Sequence, residues 1–73
     1  MPRPSPCFLD DQIKVHRKGV QRWKDEDGDR LYEWDDLHQE IEVYNSRGIH
    51  LGTLNAVTGV KEKGPTKGRR IDV

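Results

Sequence analysis

Seventy-three residues, 32% of them hydrophobic, make one domain with a thin core and a folding free energy at the low end of the range for domains. A single cysteine, Cys7, excludes an internal disulfide framework and a thiolate-rich zinc site, and no apolar run approaches the roughly 20 residues that cross a bilayer as a helix. The formal net charge of zero conceals segregation: residues 25–42 carry nine Asp/Glu against one Lys/Arg, while 1–24 carry six Lys/Arg against two acids and 61–73 carry five against two. Basic flanks suit a phosphate backbone, and the acidic centre opposes one unless its carboxylates have a chemical task.

Three prolines in Met1–Pro6 oppose helix and central strand, and this stretch lacks the apolar core of a secretion signal. Residues 1–7 are therefore expected to be a flexible N-terminal arm, ahead of a single domain over 8–73 whose basic C-terminal segment covers 60–73. From Phe8 to Val20 the apolar residues fit helical spacing in part, and Asp10 or Asp11 is placed to cap a short helix ending at Gly19. The period then changes to two. Val20–Lys24 and Leu31–Trp34 read as the arms of a hairpin around the polar turn Asp25–Asp29.

Glu40–Tyr44 alternates Ile41 and Val43 with Glu40, Glu42 and Tyr44, predicting a strand with one apolar face and one functional or solvated face on which both glutamates lie. Asn45–Gly48 is a turn, Ile49–Leu54 a further strand and Asn55–Gly59 another turn. Gly64, Pro65 and Gly68 oppose regular structure in the tail, and Ile71–Val73 is available as a short edge strand. The fold class expected is α+β, mainly β: a small twisted antiparallel meander with a short N-terminal helical segment.

The chemistry concentrates in Tyr32–Glu42, where an imidazole sits among carboxylates. His38 and Glu42 share a side whether the segment is helix or strand. Cleaving RNA by attack of a ribose 2′-hydroxyl needs a base for its proton, an acid for the departing 5′-oxygen and positive charge on the phosphorane. Glu42, His38 and the tail cations can fill these roles, and Asp35 can orient the imidazole and fix its tautomer. Lys63 and Arg69 are the phosphate candidates, with Lys61, Lys67 and Arg70 supplying salt-dependent affinity, and an exposed Tyr32 could stack on a base. The same pattern also suits a solvated acidic strip and a plain basic tail. A zinc site from His16, His38 and His50 lacks ligand spacing, and Gly59–Thr66 lacks the Lys-Ser/Thr of a phosphate-binding P-loop, so no metal and no cofactor is expected.

Tyr32-Glu33-Trp34-Asp35, His38, Glu40-Ile41-Glu42, Tyr44, His50-Leu51-Gly52, Thr58-Gly59 and Lys63-Gly64-Pro65 together resemble the C-terminal cytotoxic ribonuclease domain of the E-group colicins, from about Arg22 to Ile71. The resemblance implies a strongly twisted antiparallel sheet and a metal-independent endoribonuclease that cuts small-subunit (16S) rRNA at the decoding A site. It implies Asp35, His38 and Glu42 as the acid/base group, Glu40 as an accessory carboxylate, Lys63 and Arg69 as phosphate contacts and Tyr32 as a lining residue. The tail match is loose, leaving Arg69 and Arg70 as alternatives. It also implies the ribosome as target and a cognate acidic inhibitor, an antitoxin or immunity protein, with no membrane partner. The expected place of action is cytoplasmic, for a free-standing toxin or for a fragment of a secreted toxin in a target cell. The competing classes are a non-catalytic RNA- or ribosome-binding module and a plain interaction domain.

Overall fold

The computed structural model describes residues 7–72, in which one 3₁₀ turn, Phe8–Asp11, precedes six strands: β1 (Ile13–Arg17), β2 (Val20–Lys24), β3 (Arg30–Asp35), β4 (Glu40–Asn45), β5 (His50–Asn55) and β6 (Lys61–Lys63). Every neighbouring pair is antiparallel and spatial order follows chain order, so the sheet is a pure meander. The mainly β expectation holds, and the helical element shrinks to that single turn.

The helix expected over Phe8–Val20 is corrected to a 3₁₀ turn followed by a β hairpin. Arg17 pairs with Val20, and Lys18 (φ 50°) and Gly19 (φ 82°) between them are both left-handed. A two-residue loop with positive φ at both positions matches strand twist, so Lys18-Gly19 is a hairpin turn and not a helix end. Ile13 and Val15, β-branched and alternating, then belong to a strand. Residues 1–6 of the expected arm lie outside the described residues. Cys7 does not belong to such an arm: it is buried at 4% exposure within the core.

That core occupies one face. Trp23, Tyr32, Ile41 and Val43 present it with Trp34, Leu51 and Leu54 at its margin, and Cys7, Phe8 and Leu9 lie across it. The Phe8 amide donates to the Ala56 carbonyl at 2.7 Å, and the Phe8 ring meets Tyr32 edge-on at a centroid distance of 5.5 Å. Each large side chain buried here contributes about 1.5–3 kcal/mol, which makes this short N-terminal lid a substantial part of a small core.

On the opposite face, expected to be functional or solvated, Glu40, Glu42 and Tyr44 are buried as well, so all of Glu40–Tyr44 is enclosed and that face is not a solvated one. The cover is the C-terminal segment. It forms the short strand β6, continues without regular structure through residues 64–66, turns at Lys67-Gly68 with the Arg69 amide donating to the Thr66 carbonyl (3.2 Å), and then lies beside the start of β5, where the His50 amide donates to the Arg69 carbonyl (3.1 Å) and the Ile71 amide to the Gly48 carbonyl (2.8 Å). The edge pairing expected at Ile71–Val73 forms instead at Arg70, bridged to Ile49; Ile71 and Asp72 are not in a strand, and Val73 is outside the described residues. Buried Arg22 fastens the end of this segment, its Nε donating to Glu33 (2.7 Å) and a terminal nitrogen to the Asp72 carbonyl.

Gly52 makes the close packing of β6 possible. Its φ is +146°, and a Cβ there would run into the Lys63 carbonyl oxygen, which is rigid backbone. Gly52→Ala is expected to destabilise the protein by about 2–3 kcal/mol, the cost of a strained backbone plus a backbone clash, read from the urea midpoint by Trp fluorescence.

Candidate active site

The β3–β4 connection builds the first half of the site. Asp35 closes β3 opposite Glu40, and the four-residue loop between them is held by Gln39, whose φ is +55° and whose amide donates to the Asp36 carbonyl at 2.7 Å. Asp35 Oδ1 accepts the His38 amide (3.2 Å) and Oδ2 meets His38 Nδ1 (2.8 Å). An ionised carboxylate only accepts, so Nδ1 carries the proton and Nε2 is turned outward on a side chain that is 59% exposed. Burial pushes the Asp35 carboxyl up, but the hydrogen bonds from the His38 ring and amide and the imidazole charge outweigh it, and it lies below the usual 3.8.

The second half is buried. Glu42 Oε1 receives His50 Nε2 at 2.8 Å and an Arg69 guanidinium nitrogen at 3.1 Å, with the Glu42 side chain 5% exposed. His50 Nδ1 accepts the Thr66 amide at 2.9 Å. A ring nitrogen that accepts an amide N–H carries no proton, so His50 is the Nε2–H tautomer and donates to Glu42. Tyr44 packs edge-on against His50 (5.3 Å between centroids); burial pushes its phenol up, with Arg69 pulling the other way. Burial likewise opposes the Arg69 charge, yet Tyr44 and Glu42 hold its pKa above the usual guanidinium value.

These halves meet in one pocket of about 130 Å³ lined by Asp35, His38, Glu40, Glu42, His50, Thr53, Lys63, Gly64, Thr66 and Arg69. Lys63 enters from β6, its ammonium 3.2 Å from Glu40 Oε1 and 62% exposed; the Arg69 side chain is 47% exposed. Both cations thus hold a carboxylate while facing the opening. The pocket gathers Asp35, His38, Glu40, Glu42, Lys63 and Arg69 from the sequence-derived set. It omits four others.

Tyr32 is corrected from a site-lining residue to a core one: it lies on the opposite face, in register with Val43, at 4% exposure. Burial pushes its phenol up, with Asp25 adding to the rise. Lys61 is turned away as well. Thr53 pairs with Lys63 and Leu54 with Lys61, so the irregularity between them sends two lysines of one short strand to opposite faces, and Lys61 lines an apolar groove with Leu51 and Leu54. Lys67 and Arg70 are exposed and line no part of this pocket. Between the alternatives, Arg69 is the arginine at the site.

His50 is the residue that sequence alternation misplaces. Counting back by twos from Thr53, Leu51 would share the Glu42 face and His50 would not. A bulge intervenes: Val43 pairs with Gly52 but Tyr44 with His50, so Leu51 is the extra residue and His50 swings to the site. The histidine set considered for zinc is not assembled, since His16 is on β1 at the far edge of the sheet. Asp35, His38 and Glu40 do bring one potential ligand atom each within 4.8 Å of one another, so they are the residues that could hold an ion, although their donors are already shared with each other and with Lys63.

The chain is thus an antiparallel meander whose pocket sets an imidazole and carboxylates beside two cations. A family model described as Cytotoxic matches residues 10–72, and the chain belongs to this family, that of the colicin cytotoxic ribonuclease domains. Among similar proteins of Escherichia coli, colicin E3 is 44% identical over 52 residues, 70% of this chain, colicin-E6 is 45% identical over 51 residues and cloacin 43% over 51, each 68% of this chain. The chain spans 9% of the length of each of these relatives.

Two outcomes test this geometry. His50→Leu leaves a buried carboxylate short of one donor and the Thr66 amide unpaired, so it should cost about 2–4 kcal/mol in denaturant unfolding and open residues 64–70 to trypsin. Because the folded Asp35 pKa is depressed, its stabilising contribution is fully present above about 3.8 and is lost as pH falls through the lower folded value. The stability gap between wild type and Asp35→Asn should therefore be constant near neutrality and close in acid.

Proposed function

We propose that this protein is a metal-independent endoribonuclease toxin that cuts small-subunit (16S) rRNA at the decoding A site and stops translation. The observation that carries this reading is the single pocket joining the Asp35–His38 pair to Glu42 beneath Lys63 and Arg69, in a chain of the Cytotoxic family. Glu42, with Oε1 taken up by His50 and Arg69, takes the proton of the ribose 2′-hydroxyl through Oε2. The 2′-oxygen bonds to phosphorus as the bond from phosphorus to the 5′-oxygen breaks, and His38, entering the step as the imidazolium with Nδ1–H on Asp35, gives the proton of its Nε2 to that departing oxygen. Asp35 holds the imidazole by Nδ1, while Lys63 and Arg69 meet the charge growing on the phosphorane oxygens. The products are a 2′,3′-cyclic phosphate and a 5′-hydroxyl, with one proton accepted and one delivered.

The unit responsible runs over residues 7–73, its basic C-terminal segment completing the site. Its partners are the ribosome and a small acidic inhibitor, an antitoxin or immunity protein, steered onto Lys63, Arg69 and the exposed Lys61, Lys67 and Arg70 by charge complementarity. It acts in the cytoplasm that holds the ribosomes.

Intact ribosomes incubated with the purified protein in EDTA should yield one discrete small-subunit RNA fragment. His38→Ala or Glu42→Ala should slow its appearance by about 10²–10⁴-fold, the range for loss of a general acid or base. Ribosomal RNA left whole by the wild-type protein would sink the ribonuclease reading in favour of a binding module, and cleavage abolished by EDTA would move the chemistry to a metal at Asp35, His38 and Glu40.

A further inference from the structure

Thr53 is 4% exposed, lines the catalytic pocket, and its Oγ1 has no hydrogen-bond partner among the described residues. A buried hydroxyl left unpaired is unfavourable, and valine would fill the same β-branched volume on a strand without that penalty. A group kept at such a cost within an active site is expected to meet a ligand.

Its position says which part of the ligand. Thr53 stands between Glu42 on β4 and Lys63 on β6, in register with both. Their charged groups are engaged elsewhere, Glu42 with His50 and Arg69 and Lys63 with Glu40, so neither uses the threonine hydroxyl. Lys63 and Arg69 already serve the phosphate. Unmatched is the 2′-hydroxyl itself, which must donate to Glu42 while one of its lone pairs attacks phosphorus and the other needs a donor. Thr53, directly opposite Glu42, carries an O–H suited to it.

We propose that Thr53 Oγ1 donates to the ribose 2′-oxygen of the nucleotide on the 5′ side of the cut, holding that oxygen against Glu42 and making the pocket selective for RNA over DNA. This rests on the ribonuclease reading, and no proton is transferred to or from Thr53. The 2′-hydroxyl is the feature by which a protein separates the two nucleic acids.

The test uses adenosine 3′-monophosphate and its 2′-deoxy analogue, which carry the ribose and phosphate of that nucleotide and cannot be cleaved. Titrated into the wild-type protein and followed by NMR, the ribonucleotide should bind more tightly than the deoxy analogue, through the bonds of the 2′-hydroxyl to both Glu42 and Thr53. Thr53→Val should shrink that preference about fivefold, the worth of one neutral hydrogen bond, without lowering the unfolding temperature, Thr53→Ser should keep it in full, and cleavage of ribosomes by the valine variant should fall about tenfold or more. No preference in the wild-type protein, or one unchanged in Thr53→Val, overturns the proposal. Equal weakening of both nucleotides by Thr53→Val also overturns it, by assigning the hydroxyl to the phosphate. Intact ribosomes would instead indict the ribonuclease reading, which the nucleotide titration does not measure.

Discussion

A carboxylate cannot stay buried and ionised without compensation, and Glu42 sits at the centre of a sheet with both faces covered. The structure meets this with two donors from different parts of the chain, His50 on β5 and Arg69 in the C-terminal segment. His50 can donate to Glu42 only because its other nitrogen is satisfied by the Thr66 amide. One short chain of hydrogen bonds therefore holds Glu42, helps to tie down the tail and brings Arg69 to the pocket.

The charge segregation of the sequence follows from the same arrangement. The acidic block 25–42 supplies Asp35, Glu40 and Glu42, and the basic block 61–73 returns Lys63 and Arg69 against them. Internal pairing of the two blocks leaves the cationic heads half-exposed, where a phosphate can compete for them. The proposed acid and base also differ in environment: His38 stands on an exposed loop, and Glu42 lies in the interior. Substrate closing over such a pocket expels water from the exposed partner first, strengthening its interactions in the complex.

Two departures from ideal pairing decide what the pocket contains. The extra residue Leu51 turns His50 toward Glu42, and the irregularity between Thr53 and Leu54 keeps Lys63 at the site while sending Lys61 to the other face. Both lie on β5, next to Gly52, whose missing side chain lets β6 approach. Bulges re-aim side chains beside functional sites for this reason.

Much was legible in the residues alone. Alternation and turn chemistry determined the strands from Val20 to Leu54 and their turns, because Asn45 and Asn55 satisfy turn amides with their own side chains and hairpins are local. The Asp35–His38 contact is equally local, spanning three residues, and the motif around it pointed to acid/base chemistry before any geometry was known. Periodicity failed where the information is not local. The hairpin at Lys18-Gly19 depends on backbone conformation that a helix C-terminus would share, and Tyr32 looks the same in sequence whether it faces core or pocket. Only the tertiary structure could place His50, Thr53 and Arg69 around Glu42, because a bulge shifts facing by one residue and a salt bridge across 27 residues leaves no period to read.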